Sequence, residues 1–508
     1  MDSVCLWSFL TIGWLLGTVY GNDCVGRKFD EDSIVCVCNA TYCDSVLVQV
    51  PGKGSFRSYT SSVAGWRLYR EEGVFRSAMN NEIVLRLDPT KRYQTIHGFG
   101  GAFTDAAGFN INSLSERTQQ QLIRTYFGRD GNRYNLGRLP IGGSDFSMRG
   151  YTLDDVPGDI TLSNFSLALE DMKYKIPYMK RALELNPNLK FFAACWTAPP
   201  WMKVNNQYSG LFGNLKLEYY QTFANYLIKF LESYKQLGLP MWAMSLGNEP
   251  VDGFVPFVPI NDMPFGPRAQ AKWLVNNLGP ALAQSTSWET LLLALDDQRI
   301  LLPWWIDIMY QTADVGKYFS GIAIHWYADA VAPATLLDMT HQKYPDKFIL
   351  NTEASYVPYP WDPVPVRLGN WHRAERYIHD IIEDMNHWVT GWVDWNLALD
   401  VSGGPNWEFN PVDSPIIVSP QTDEFFKQPL FYSIAHFSKF VPPGSARIGL
   451  TSHCDIRSVA FSTPDNEIVI VLHNREKKSK NITVVDPEQG EVNVQMPPRS
   501  MKTIIYKQ

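Results

Sequence analysis

The chain has 508 residues, 45% hydrophobic and 19% charged, with a formal charge of -7. That composition excludes a disordered polar chain, a collagen-like repeat and a small disulfide scaffold, and the length is that of about three ordinary domains. With 45 Lys+Arg against 52 Asp+Glu, no basic field for a phosphate backbone exists, so nucleic acid is excluded as a partner. The 17 Trp leave carbohydrate open, because aromatic faces stack on sugar rings as well as packing cores.

Val4 to Val19 form one apolar run followed by small Gly21, which reads as a signal peptide over residues 1–21, too short for a spanning helix. The longest later apolar stretch, Trp388 to Leu399, is broken by Asp394, so no transmembrane segment is expected in the mature chain. Cys24, Cys36, Cys38 and Cys43 crowd into one short strip; in an exported chain this favours two disulfides over zinc, with three pairings open. Cys195 and Cys454 are expected to be free, each a small buried hydrophobe. Sequons at Asn39, Asn164 and Asn481 agree with the secretory route.

Strand-like pieces at Val46 to Val50 and Glu82 to Leu87 precede an alternation of short apolar runs and helix-length amphipathic stretches. The runs are Thr95 to Phe99, Tyr134 to Leu139, Leu189 to Ala194, Met241 to Leu246, Thr290 to Leu295, Gly321 to Trp326, Phe348 to Thr352 and Val389 to Trp395. Helices are expected at Glu116 to Phe127, opened by a capping box of Ser113 and Glu116, and at Leu215 to Leu237, Arg268 to Leu282, Trp371 to Met385 and Phe425 to Phe440. Eight such units make an α/β chain with a (β/α)8 TIM barrel. After residue 445, six short alternating segments between Ala446 and Tyr506, parted by turn signals, read as a β-sandwich of immunoglobulin-like type or a small barrel, which the early strands could complete.

In such a barrel, chemistry sits where strands end. The fourth run ends in Gly247-Asn-Glu249-Pro and the seventh in Glu353, which delivers two carboxylates to one mouth. A glycosidase needs that pair, one carboxyl to protonate the leaving oxygen and one carboxylate to face the anomeric carbon. Asp145, Trp196, Asp296-Asp297-Gln298-Arg299, His325-Trp-Tyr327 and Trp395-Asn396 stand at other strand ends and suit hydroxyls and ring faces. No His-x-x-x-His, ligand-spaced acidic loop or Gly-x-Ser-x-Gly elbow occurs, so neither a metal nor a serine nucleophile is expected.

Long strings then carry a resemblance: Asn39-Ala-Thr-Tyr-Cys-Asp-Ser, His97-Gly-Phe-Gly-Gly-Ala-Phe-Thr-Asp-Ala-Ala, Leu295-Asp-Asp-Gln-Arg, Gly391-Trp-Val-Asp-Trp-Asn-Leu-Ala-Leu, Gly403-Gly-Pro-Asn-Trp, Val412-Asp-Ser-Pro-Ile-Ile-Val and His436-Phe-Ser-Lys-Phe. The chain resembles the glucosylceramidases of glycoside hydrolase family 30 over essentially its whole mature length. The resemblance implies retaining hydrolysis of glucosylceramide without a cofactor, Glu249 as acid/base and Glu353 as nucleophile. It implies that Asn248 reaches the sugar 2-hydroxyl, that Asp145, Trp196 and Trp395 hold the glucose, and that Tyr327 bonds near the nucleophile. Arg138, Gln298, His325 and Asn410 are implied as supports beneath the sugar or at the rim. The pairings Cys24–Cys36 and Cys38–Cys43 are likewise implied, as is a small N-terminal antiparallel sheet of residues 22–47 and 399–427. The sandwich would then take 48–92 and 445–508, and the barrel 93–398 and 428–444.

Also implied are a lysosomal location, docking on anionic membranes, a saposin-type activator and a lysosomal targeting receptor. The chain departs from the family's usual residues at Gly247 (commonly Glu), Cys195 (Pro), Ser355 (Cys) and Pro411 (Phe). These departures are expected to affect the pH profile and the aglycone entrance more than the chemistry. The rival readings are a same-fold enzyme for another β-glucoside or β-xyloside, and a catalytically silent glycan- or receptor-binding protein.

Overall fold

The computed structural model describes residues 21–76, 81–256, 260–359 and 361–508. The expected signal peptide therefore lies, but for Gly21, outside the described residues. Eight parallel strands close into a barrel: Gly98–Ala102, Leu136–Ile141, Lys190–Cys195, Met241–Ser245, Leu291–Gln298, Gly321–His325, Phe348–Glu353 and Val389–Asn396. Seven of them fall on the apolar runs read from the sequence. The first is displaced, because Thr95 ends a 13-residue sandwich strand, Ile83–Thr95, and the barrel strand begins only at Gly98. Gly98 adopts φ +143°, and a Cβ there would stand 1.7 Å from Asn135 Oδ1, which accepts the Phe99 N–H at 2.9 Å. This first strand is built from glycines because neighbouring backbone occupies the space of side chains.

Outside the barrel, nine described strands form one continuous ribbon in the order Gly490–Met496, Lys480–Asp486, Ile83–Thr95, Ala446–Leu450, Arg457–Ser462, Glu467–Asn474, Ser500–Lys507, Ser55–Ser62, Tyr69–Val74. Ile83–Thr95 joins its two layers: the start pairs in parallel with Ile482–Val485, and the rest pairs antiparallel with Ala446–Leu450. Between the layers lies an apolar core that includes Leu85, Ile448, Ile470, Val484 and Ile504, the inward half of each alternation. Val46 to Val50 does not join this sheet; only Ser45–Val46 is extended, paired with Gly21–Asn22.

A five-stranded sheet combines Gly26–Lys28 and Ile34–Asn39 with Leu399–Asp400, Ile416–Ser419 and Glu424–Lys427. It is antiparallel except that Leu399–Asp400 runs parallel to Ile417–Val418. Disulfides Cys24–Cys36 and Cys38–Cys43 tie its N-terminal strip. Cys195 is buried, whereas Cys454 is exposed on a turn, contrary to its expected burial.

The expected helix from Phe425 to Phe440 is divided: Glu424–Lys427 is a strand and the helix is Pro429–Ser438. Pro429 holds Gln428 extended, so the apolar run cannot be one helix. Every residue of this helix is buried, since it lies between helix Trp371–Asn386 and the sandwich, with His436 bonded to Thr503 Oγ1 at 2.8 Å and Ser61 Oγ at 3.0 Å. The expected capping box also fails: Ser113 ends the preceding helix, Asp105–Asn112, and Ser115 precedes Glu116–Phe127. Arg268 to Leu282 is one helical path widened by a π-turn at Leu274–Leu278. Of the sequons, Asn164 and Asn481 are exposed and Asn39 is half-buried. No helix among the described residues is long and apolar enough to cross a membrane.

Candidate active site

The fourth strand ends in a sharp reversal. Gly247 takes φ +143° and Glu249 φ +40°, a left-handed conformation that non-glycine residues seldom adopt. The fifth strand carries a second irregularity, a bulge at which Leu295 and Asp296 have φ of +72° and +60°. That bulge turns Asp296 into the barrel, where it is fully buried. A backbone bond joins the two irregularities, Glu249 N–H donating to the Asp296 carbonyl at 2.9 Å, and Asn248 N–H ties the reversal to the end of the third strand through the Cys195 carbonyl at 2.9 Å.

Glu249 and Glu353 face each other across this mouth, with an oxygen of each and a ring nitrogen of His325 mutually within 4.8 Å. Beneath them lies Arg138, from the second strand, with no exposed surface. Its guanidinium donates to Glu353 Oε2, to Asn248 Oδ1 at 2.7 Å and to Asp296 Oδ2 at 3.0 Å. It also lies 5.0 Å from the Trp196 ring and 5.3 Å from the Trp395 ring, which stack on each other at 5.0 Å. Tyr327 Oη donates to Glu353 Oε1 at 2.7 Å, and Gln298 Nε2 to Glu249 Oε1 at 2.8 Å. His325 spans Glu249 Oε1, 2.9 Å from Nδ1, and Asp296 Oδ1, 3.2 Å from Nε2. Asp145 Oδ2 accepts from Asn410 Nδ2 at 2.7 Å.

Above this floor opens a cavity of about 440 Å³, lined by Asp145, Trp196, Glu249, Tyr327, Glu353 and Trp395 among others. Its volume suits one sugar ring with room for a leaving group. The structure thus gathers the eleven residues given roles by the resemblance at one end of the barrel; Arg299, also read as a strand-end candidate, instead turns away to Glu383 and Asp384, to whose carboxyl oxygens it donates. Three acids to which the resemblance gave no role join them: Asp296, Asp297 and Asp252. Only the run Asp296-Asp297 at a strand end signalled the first two; Asp252 carried no signal beyond standing three residues after Glu249.

The charges are interdependent. Burial opposes a charge on His325, but Glu353, Asp296 and Glu249 outweigh it and push the imidazole up to about 10, so it is a cation bonded at both nitrogens. Burial likewise disfavours the Asp296 carboxylate, yet Arg138 and His325 hold it well below the usual range. Glu353 is raised by burial, with Arg138 and His325 pulling against it. The bonds it accepts, from a guanidinium and a phenol, are those of a carboxylate. Glu249, Glu353 and His325 are spaced closely enough for a cation, but each reaching atom is already bonded, and the guanidinium of Arg138 and the charged imidazole itself oppose a further positive charge.

Asp145 is pushed up to about 7, first by burial and then by Glu353. A carboxyl raised on folding contributes its full stability below its unfolded value near 3.9 and loses it as pH rises through about 7. Asp145→Asn, which keeps shape and hydrogen bonding without the charge, should therefore melt higher than the parent at pH 7.5, by an amount corresponding to a few kcal/mol, and show no gain at pH 4. Thermal denaturation at both pH values checks this.

The glycosyl hydrolase family 30 TIM-barrel model matches residues 96–441, and the family's β-sandwich model matches 444–504. The chain is 42% identical to the lysosomal acid glucosylceramidase of Mus musculus over 98% of both chains. It is 40% identical to putative glucosylceramidase 4 of Caenorhabditis elegans over 94% of each. Among solved structures, SrfJ from Salmonella typhimurium matches with a TM-score of 0.83 and 29% identity, covering 89% of this chain and all of its own. The endo-β1,6-glucanase BT3312 matches at 0.78 and 27%, covering 90% of this chain and all of its own.

Proposed function

The chain belongs to glycosyl hydrolase family 30, and from that membership we propose that it hydrolyses the β-glucosidic bond of glucosylceramide, with retention, to glucose and ceramide. The observation that carries the stereochemistry is the pairing of Glu249 and Glu353, with oxygens within 4.8 Å. Retaining enzymes hold their carboxyls about 5–5.5 Å apart, whereas inverting enzymes need about 6.5–9.5 Å to admit a water.

In this mechanism Glu353 attacks the anomeric carbon as Glu249 protonates the departing ceramide oxygen, so the glycosidic bond breaks and a glucosyl ester forms. Glu249, now a carboxylate, takes a proton from water; the hydroxide oxygen bonds to the anomeric carbon and Glu353 leaves. Arg138 and Tyr327 keep Glu353 ionised and aimed, Gln298 and His325 orient Glu249, and Asn248 is held by Arg138 toward the ring. Asp145 accepts from sugar hydroxyls, and Trp196 and Trp395 supply the ring face.

A lipid substrate is supported by the rim. Exposed apolar side chains occupy loops after five barrel strands: Phe212, Phe254, Val331, Trp361 and Phe409. Such a fringe suits the edge of a membrane, where a ceramide stays while its sugar enters the cavity. Similarity to a lysosomal acid glucosylceramidase supports action in that compartment; a saposin-type activator and a lysosomal targeting receptor are proposed as partners. The test is hydrolysis of glucosylceramide in anionic vesicles, followed by NMR of the first-formed sugar. β-Glucose is expected. α-Glucose would overturn retention, and turnover of β-1,6-glucan or a β-xyloside with none of the lipid would overturn the substrate.

A further inference from the structure

The turn after the fourth barrel strand brings a further carboxyl against that of Glu249. Asp252 N–H donates to the Glu249 carbonyl at 3.0 Å, opening the 3-10 turn Asp252–Phe254, and the Asp252 carboxyl is hydrogen-bonded to that of Glu249 on the wall of the sugar cavity. The turn is pinned from several sides. Val251 N–H donates to Asp297 Oδ2 at 3.2 Å, Phe212 N–H to the Gly253 carbonyl at 3.0 Å, and Phe265 N–H to the Pro250 carbonyl at 3.1 Å. Gly253 also packs so closely under Pro264 that a Cβ would stand 2.3 Å from its Cδ.

An ionised carboxylate only accepts, so a carboxyl-to-carboxyl hydrogen bond requires one proton between the two groups. The charged groups facing Asp252 are the acids Glu249, Asp297 and Asp262. Lys203 stands 4.0 Å from Asp262, and His325 and Arg138 act on Glu249 from its other side. Burial and the neighbouring acids push the Asp252 carboxyl up to about 11; burial also works against a charge on Glu249, but His325 outweighs it and holds that group below its ordinary value. The pair therefore titrates as a unit that retains one proton well above the range of an isolated glutamate.

We propose that Asp252 is the proton partner of Glu249, holding the shared proton in the empty site and returning it to Glu249 as the leaving oxygen departs. The proton passes from Asp252 to Glu249 to the glycosidic oxygen, and the proton taken from water in the second step restores the pair. Asp252 is thus a positioning residue that sets the upper pH limit of acid catalysis, in a site where Gly247 leaves no acid immediately before Asn248. The inference rests on Glu249 being the acid/base.

The test compares the parent with Asp252→Asn, which keeps a hydrogen bond to Glu249, and Asp252→Ala, which does not. The readout is the pH profile of kcat/KM for phenyl β-glucoside, whose leaving group needs a proton, and dinitrophenyl β-glucoside, whose leaving group does not. Both variants should lose activity on the phenyl glucoside at a pH lower by about one unit or more, hold within about twofold on the dinitrophenyl glucoside, and keep the acid limb. An unchanged upper limb in both variants, or equal losses on both substrates at every pH, would overturn the proposal. A parent inactive on both glucosides, or Glu249→Gln with undiminished activity on the phenyl glucoside, would instead overturn the underlying reading of Glu249.

Discussion

Glu353→Gly should lower kcat on β-glucosides by about 10⁴-fold or more, and azide should restore turnover with α-glucosyl azide as product. Removing the side chain opens room for a small anion on the face from which Glu353 attacks. One displacement then replaces two, and the configuration inverts. Glu249→Gly should behave in the opposite sense. Dinitrophenyl β-glucoside still forms the glucosyl ester, but release slows for want of a base, and azide attacks the ester from the opposite face to give β-glucosyl azide. The two products separate the roles without reference to rate, and both variants are checked for cooperative melting. The same azide anomer from both variants, or α-azide from the Glu249 variant, would overturn the assignment. The asymmetry expected in these products is already visible in the hydrogen bonds. Glu353 accepts from a guanidinium and a phenol, while Glu249 shares a hydrogen bond with another carboxyl, so the proton belongs to one side of the mouth and the fixed charge to the other.

How much of this was legible in the sequence follows from what each element asks of its residues. Barrel strands such as Phe348–Glu353 and Val389–Asn396 are covered on both faces, and the apolar runs that cover demands end in polar residues at the mouth. The first strand was read too early because Gly98, Gly100 and Gly101 have no side chains to form such a run, while the preceding Ile83–Thr95 does. The Phe425 to Phe440 helix was misread since apolar content alone does not separate a three-sided buried helix from a strand, and the decisive residue was Pro429. Within the site, Glu249, Glu353 and the tryptophans were visible as the ends of strands. Asp296 was visible only as one acid at a strand end and Asp252 not at all, because their aim depends on φ values of +60° at Asp296 and +40° at Glu249, which no glycine marks. The centrality of Arg138 was also hidden. A lone arginine in a strand reads as an exposed residue, and only the closed barrel shows three acceptors converging on it.

That convergence leads to the largest expected effect on stability. Arg138→Met should destabilise the protein by about 3–5 kcal/mol at pH 7.5, because Asp296 and Glu353 would remain buried without their guanidinium. The loss should shrink as pH falls toward 5. Without Arg138 the Glu353 carboxyl rises further above its unfolded value and loses stability as pH rises, while the Asp296 carboxyl gives up part of the depression that stabilises it above its unfolded value, a contribution that vanishes in any case as pH falls. Arg138→Met/Asp296→Asn should recover part of the loss by removing one orphaned charge. Arg138→Lys keeps a positive charge but cannot reach Glu353, Asn248 and Asp296 with one planar fork. It should fold, retain most of the stability, and lose kcat by at least about tenfold, with the acid limb of its pH profile moved upward as Glu353 becomes harder to ionise. Urea unfolding at pH 5 and 7.5, together with the pH profile of the lysine variant, measures each part. If Arg138→Met lost equal stability at both pH values, the arginine would be contributing packing against Trp196 and Trp395, not charge compensation. An unshifted acid limb in Arg138→Lys would show that Tyr327 and His325 suffice to keep Glu353 ionised.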